Sequence, residues 1–305
     1  MSQWDARGLP PAAQARVERA QHGGVRTSLL SASAAAAIAE LGLEPVGEVM
    51  GCVVEHIGWG GMGCGMYGAW GGVQYGYAQT QTSGGGGGYG GYAPYVNALY
   101  YGYEHALHRL LLETQALGGD GALGIGWTQQ RLDEAGNREF VAIGTAVRAR
   151  STARPAHLFA TDLDGPDVAK LLHGGWVPAG LVIGISVGVR HDDYYTRMQA
   201  RPWSNTNTEV SGYTELVTHT RADAREQFAA RAARIGGDAA IVSNMTLHIS
   251  EVEPSDGHRD HVATSTVTGT SVARFHRDAA APTDTLTVMP LRTLSSRSLP
   301  SRSRP

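Results

Sequence analysis

The sequence predicts an α+β protein made of two tandem units, each a long helix packed on a small antiparallel sheet. Three observations predict it. Residues 95–125 and 213–243 share one pattern, in which Tyr95 falls on Tyr213, Leu117 on Ile235 and Gly118-Gly119-Asp120 on Gly236-Gly237-Asp238. Upstream, the block from Gly42 to Gly51 matches the block from Gly175 to Gly184. Downstream, Gly144-Thr145-Ala146-Val147 matches Gly269-Thr270-Ser271-Val272. Three matched blocks in one order make a tandem duplication, with a unit far longer than a solenoid repeat.

The helices come from spacing. Val96, Leu99, Tyr100, Tyr103, Leu107, Leu110, Leu111 and Leu117 recur mostly at steps of three and four, which is one face of an α-helix. The second copy offers Leu216, Val217, Thr220, Ala224, Phe228, Ala232 and Ile235. Gly118 and Gly236 stand where a helix C-terminus favours a left-handed residue. A short apolar strand follows each Gly-Gly-Asp.

In chain order, 1–25 is expected to be a flexible N-terminal tail, with a charged stretch from Gln14 to Gln21 that could form a frayed helix. The first unit spans 26–150. A short strand is expected over Arg26–Leu30, and Ser33 is expected to cap a helix ending at Leu41 and Gly42. Val46–Val54 reads as a strand, its glycines signalling a bend or a close backbone neighbour. Residues 58–94 form a Gly/Tyr-rich insertion without period, read as a flexible loop or an adhesive one. Strands Ala122–Gln129 and Glu139–Arg148 flank a turn around Asp133–Asn137. The second unit spans 157–276. It opens with strand Leu158–Ala160, then a helix from Asp164-Gly165-Pro166 to His173 and strand Pro178–Arg190. Residues 191–212 form a polar loop, and strands Ala239–Glu251 and His261–Phe275 close the unit. Residues 277–305, rich in Ser, Arg, Pro and Thr, are expected to be a disordered C-terminal tail.

A strand with a glycine-rich apolar run, a helix closing on Leu-Gly-Gly-Asp, and a strand ending in Gly-Thr-Ala-Val resemble the YbjQ-like family. Its members are small bacterial proteins described as heavy-metal-binding domains. Both halves carry the pattern. The resemblance implies a helix on a small antiparallel sheet, units that assemble as rings, and a divalent transition metal as ligand.

Composition sets outer bounds. The 305 residues suit one or two domains, and each unit is long enough to bury a core. A net charge of −3 gives no electrostatic case for nucleic acid or an anionic membrane. Lys170 is the only lysine. Two cysteines, Cys52 and Cys64, preclude a disulfide framework but not a single pair. No apolar leader or membrane span is visible, so a cytoplasmic location is expected.

Candidate chemistry is sparse. Glu104, His105 and His108 lie about one helical turn apart, and Ala222, Asp223 and Glu226 take the same places in the second copy. His at i and i+3 can share a metal, so Glu104, His105, His108, Asp223 and Glu226 are the candidate ligands, facing solvent or a neighbouring subunit. The competing reading is an ordinary polar helix face. Cys52 and Cys64 are not spaced for a zinc site. The insertion is not a phosphate-binding loop, having no lysine. Asp162-Leu163-Asp164-Gly165 begins like a calcium loop, but His173 occupies the position that needs a glutamate. His191-Asp192-Asp193 and the set Asp256, His258, Asp260 and His261 are expected in solvated turns. Asp120 and Asp238 could be catalytic carboxylates, yet an Asp after Gly-Gly more often braces a turn.

The leading expectation is a non-enzymatic homo-oligomeric binding or scaffold protein of the YbjQ-like type, possibly closing a ring, with no nucleic-acid or membrane partner. The alternatives are an enzyme with a carboxylate site at Asp120 or Asp238, and a protein that binds a partner through residues 58–94. The apolar runs Val46–Val54 and Val182–Val189 suit strands covered on both faces. One helix per unit covers one face, so the other requires a partner.

Overall fold

The computed structural model describes residues 4, 8–23, 27–57, 80–83, 92–133, 135–200, 207–255 and 258–275. The elements are α1 (Pro11–Gln21), α2 (Ala32–Glu40), β1 (Leu43–His56), β2 (Gln81–Thr82), α3 (Ala93–Ala116), β3 (Gly121–Arg131) and β4 (Asn137–Ala149). They continue with β5 (Phe159–Ala160), α4 (Gly165–His173), β6 (Trp176–His191), α5 (Tyr194–Gln199), α6 (Ser211–Arg234), β7 (Ala239–Ser255) and β8 (His258–Arg274). The predicted α+β class is what the chain adopts. Most of the Gly/Tyr-rich insertion, Cys64 and the whole of 277–305 lie outside the described residues.

Two four-stranded sheets form, in the orders β1-β4-β3-β5 and β2-β6-β8-β7. Their ladders are antiparallel except where β5 joins β3 in parallel. The two halves match in detail. β1 is bulged between Pro45 and Gly47, and β6 between Pro178 and Gly180. β3 shifts register between Leu123 and Gly126, and β7 between Val242 and Asn244.

Each long helix lies on its own sheet through a small-residue contact. A Cβ on Gly51 would collide with the carbonyl oxygen of Ala106 in α3, and one on Gly184 with that of Ala224 in α6. Glycine is needed there because the helix backbone rests on the strand. Gly118 and Gly236 end the helices at φ +74 and +84, as their sequence positions require.

Helix α3 also reaches the second sheet. The hydroxyl of Tyr100 accepts the Ile185 N–H of β6 at 2.8 Å. Ile183, Ile185, Val187 and Val189 are buried in the same core cluster as Val49, Val53 and Leu110. On the opposite side, Val182 packs with Ala224 and Phe228 of α6. Strand β6 is therefore covered on both faces. In β1 only the Val49 and Val53 set is buried, while Val54 is 52 % exposed and Met50 and Cys52 are half-buried. Among the described residues, the expectation of two covered faces holds for β6 alone.

Several local expectations need correction. Ser31, not Ser33, caps α2. Its backbone is extended and its hydroxyl accepts the Ala34 N–H at 3.1 Å. Residues 27–30 form no regular element and pair with no strand among the described residues. Within the stretch expected to be a tail, α1 docks on α3. Arg16 makes a two-pronged pair with Glu113 at 3.0 and 2.9 Å. The loop expected over 191–212 contains α5, capped by Asp193, whose carboxylate accepts the Thr196 N–H at 2.7 Å. No described helix is long and apolar enough to cross a membrane.

Candidate functional site

The five candidate ligands do not converge. Glu104 is exposed and pairs with Arg231 of α6 at 2.7 Å. His105 lies against Tyr101, ring centroids 3.7 Å apart, and His108 is exposed on the same helix. Asp223, expected to face outward, points into the protein and is 7 % exposed. Its carboxylate accepts a hydrogen bond from the buried Ser186 hydroxyl of β6 and a weaker one from Gln227 at 3.4 Å. Ser186 places a hydroxyl beneath α6, which needs a buried acceptor, and Asp223 supplies it. Glu226 remains on the exposed face. Among the described residues, no group of three or more His, Cys, Asp or Glu is placed to share a metal ion.

Asp120 and Asp238 act on backbone. Asp120 is 5 % exposed, and its carboxylate accepts the Ala149 N–H and the Arg154 guanidinium, each at 2.7 Å. Asp238 accepts the Arg274 N–H at 2.9 Å. Both carboxylates tie the start of one strand to the end of its neighbour, the bracing role expected of an Asp after Gly-Gly. Cys52 donates to Glu139 at 3.3 Å, and burial, then that bond, pushes its thiol pKa up to about 11. Such a thiol is neutral and a poor metal ligand.

Most of the residues expected in solvated turns instead form a buried polar network at one end of the second sheet; Asp256 lies outside the described residues. Asp192, Asp260 and His261 are buried. His191 meets Asp260 at 2.7 Å and His261 meets Asp192 at 3.0 Å. Arg190 pairs with Glu215 of α6 at 2.6 Å and with Asp193 at 3.2 Å. Burial, then the nearby Asp192 and Glu251 carboxylates, push the Tyr213 phenol up to about 12. Tyr213 lies 4.4 Å from His261, ring centre to ring centre. The partners arrive from β6, β8 and α6, so each His and carboxylate looks solitary in the sequence. The His191–Asp260 and His261–Asp192 bonds suit fastening two strand ends.

The most organised feature is the junction between the sheets. Residues 159–163 run along the outer edge of β3. The Thr161 N–H donates to the Ala122 carbonyl at 3.0 Å, Ile125 N–H to Thr161 at 3.0 Å, and Gly124 N–H to Leu163 at 2.9 Å. The same segment is held to the second sheet by Thr270, whose hydroxyl meets that of Thr161 at 2.7 Å and accepts the Asp162 N–H at 3.3 Å. The first half repeats one part of this arrangement, with Thr145 accepting the Leu29 N–H at 3.0 Å. The recurring Gly-Thr block thus holds the segment that leads into α2 or α4. Sequence reasoning found the block but not its role, because the bonded partner lies more than a hundred residues away.

No family model matches the chain. The chain is similar to the encapsulin nanocompartment protein Rv1762c of Mycobacterium tuberculosis strain H37Rv. The two are 28% identical over 259 residues, covering 80% of this chain and 88% of that protein. These findings overturn the YbjQ-like resemblance and the heavy-metal-binding function drawn from it. The Gly-Gly-Asp and Gly-Thr blocks that carried the resemblance have local jobs in this structure. They supply a left-handed helix end, a carboxylate brace and a hydroxyl that holds a neighbouring segment. Those are turn and edge chemistry, and they carry no metal-site signature.

Proposed function

We propose that this chain is a constituent of a protein nanocompartment of the encapsulin kind, present there as a homo-oligomer. The observation that carries the reading is the extent of the similarity to Rv1762c. It runs over 88% of that protein and so draws on both sheets, not on one shared motif. The two units, 26–150 and 157–276, are read as equivalent building blocks joined head to tail. A head-to-tail contact between equivalent blocks leaves a free end on each side, and a ring closes both. The modest net charge of −3 fits a protein whose partners are protein surfaces. The expected place of action is the cytoplasm.

The test is fractionation of the cells that make the protein. A tagged chain should sediment in a density gradient with particles of megadalton size and resist added protease until the particles are opened. A tagged chain found only in low-mass fractions, and digested at once, would overturn the reading.

A further inference from the structure

The junction inside the chain has two sides, and the counterpart of each has no strand partner among the described residues. On the receiving side, Ala122, Leu123 and Ile125 of β3 are buried to 2 % exposure or less. Their counterparts in β7 are Ala240, Ile241 and Ser243, and there Ala240 and Ser243 are exposed and Ile241 half-buried. Val242, at the place of Gly124, is 50 % exposed. Strand β7 is the outer strand of its sheet, with β8 as its only strand neighbour among the described residues. On the giving side, Ala160, Thr161 and Leu163 are buried. Their counterparts, counted back from the matched helix caps Asp164 and Ser31, are Thr27, Ser28 and Leu30. Thr27 and Ser28 are exposed and Leu30 half-buried.

The free giving segment is already held in position. The Leu29 N–H bonds to Thr145 as the Asp162 N–H bonds to Thr270. A segment that runs into the extended Ser31 is thus anchored to its own sheet, and among the described residues no strand pairs with it or with the outer edge of the bulged β7. Unpaired strand edges are templates for pairing with another chain.

We propose that the outer edge of β7 takes the Thr27–Leu30 segment of a second copy of this chain. The inference rests on the self-association proposed above and names the contact that makes it. Transposed from the junction inside the chain, the pairing runs from Ser28 N–H to the Ala240 carbonyl, from Ser243 N–H to the Ser28 carbonyl, and from Val242 N–H to the Leu30 carbonyl. The contact is heterologous, so each copy gives with one end and receives with the other. Two details differ from the internal junction. Gly124 stands at φ +63, a conformation that favours glycine, and Val242 takes its place in β7. A Cβ on Gly165 would collide with Ala34 of α2, whereas Ala32 stands at the matching place in α2 and carries a Cβ. Helix α2 of the second copy therefore stands farther off, and the strand pairing carries the contact.

The test uses the full chain with Ser28→Pro or Ser243→Pro, each of which removes one pairing N–H. Both sites are exposed, and Ser243 lies at the β7 bulge, where proline is tolerated on an outer strand. Light scattering at micromolar concentration should give a multi-chain mass for the unaltered protein and 32.2 kDa for each variant, with unchanged circular dichroism. An equimolar mixture should form two-chain particles and nothing larger, since one good receiving edge then meets one good giving segment. Ala240→Lys, which alters an exposed side chain, should behave as Ser243→Pro does. Variants that keep the mass of the unaltered protein, or a mixture that stays single-chain, would overturn the strand junction alone. An unaltered chain at 32.2 kDa would overturn self-association itself.

Discussion

The hydroxyl of Tyr100, on α3, accepts the backbone N–H of Ile185, on β6, at 2.8 Å. Tyr100 is 7 % exposed and Ile185 1 %, so the bond is made out of water. It joins the helix of the first sheet to the edge of the second. Arg231 of α6 lies over the same ring, 3.5 Å from its centre, so three elements meet at this phenol.

Tyr100→Phe removes the acceptor and leaves the Ile185 N–H buried without one. A buried unsatisfied donor costs about 1–3 kcal/mol. Urea unfolding should show that loss. A variant as stable as the parent would mean that the two sheets are not joined at this point.

Glu113 is fully buried and holds two things at once. It pairs with Arg16 of α1 and accepts the Met50 N–H of β1 at 2.9 Å. Glu113→Ala should therefore loosen α1 more than the sheets, because half-exposed Arg16 regains water while the helix loses its anchor. Hydrogen exchange should speed up over residues 11–21 by about tenfold for each 1.4 kcal/mol lost. Unchanged protection of α1 would contradict its docking.

The matched braces Asp120 and Asp238 should differ in weight. Asp120 is buried and accepts from a backbone N–H and an arginine, whereas Asp238 is exposed. Asp120→Ala should cost about 1–3 kcal/mol and Asp238→Ala less than about 1 kcal/mol, since water replaces the lost partner at the exposed site. Equal losses in denaturant titration would contradict this difference. Neither change should abolish a catalytic activity if both carboxylates only brace backbone.

Cys52 gives a prediction in pH. Its pKa of about 11 lies above the ordinary thiol value, so it stays protonated at neutral pH. At pH 8 roughly a thousandth of it is thiolate, against about a quarter of an ordinary thiol near 8.5. In a Cys64→Ser background, alkylation by iodoacetamide should be slower than that of a free thiol by about a hundredfold. It should rise roughly tenfold per pH unit up to pH 10. Labelling at the rate of free cysteine would contradict the burial and the Glu139 bond.

The parts of the fold that were legible in the sequence are those with a repeated local signal. The period of Val96, Leu99, Tyr103 and Leu110 gives α3, and Gly118 and Gly236 mark where the long helices end. Helices α1 and α5 were not foreseen as packed elements. Their sequences are polar, and they are fixed by Arg16 meeting Glu113 and by Asp193 capping Thr196, contacts that no period displays. Asp223 lies off the apolar stripe of α6, which points it outward in the sequence, and only the buried Ser186 hydroxyl explains why it turns inward. The pairing of β5 with β3 crosses the boundary between the repeats, and the sequence alone offers no sign of which edge a two-residue strand will join.

The most direct test of the account is the mass of the unaltered chain in solution, by light scattering over a dilution series from micromolar concentration. The account predicts a stable whole-number multiple of 32.2 kDa that holds on moderate dilution, as a closed head-to-tail assembly would. A stable mass of 32.2 kDa across the series would contradict it, because the outer edge of β7 and the Thr27–Leu30 segment would then stay open with no second copy to fill them.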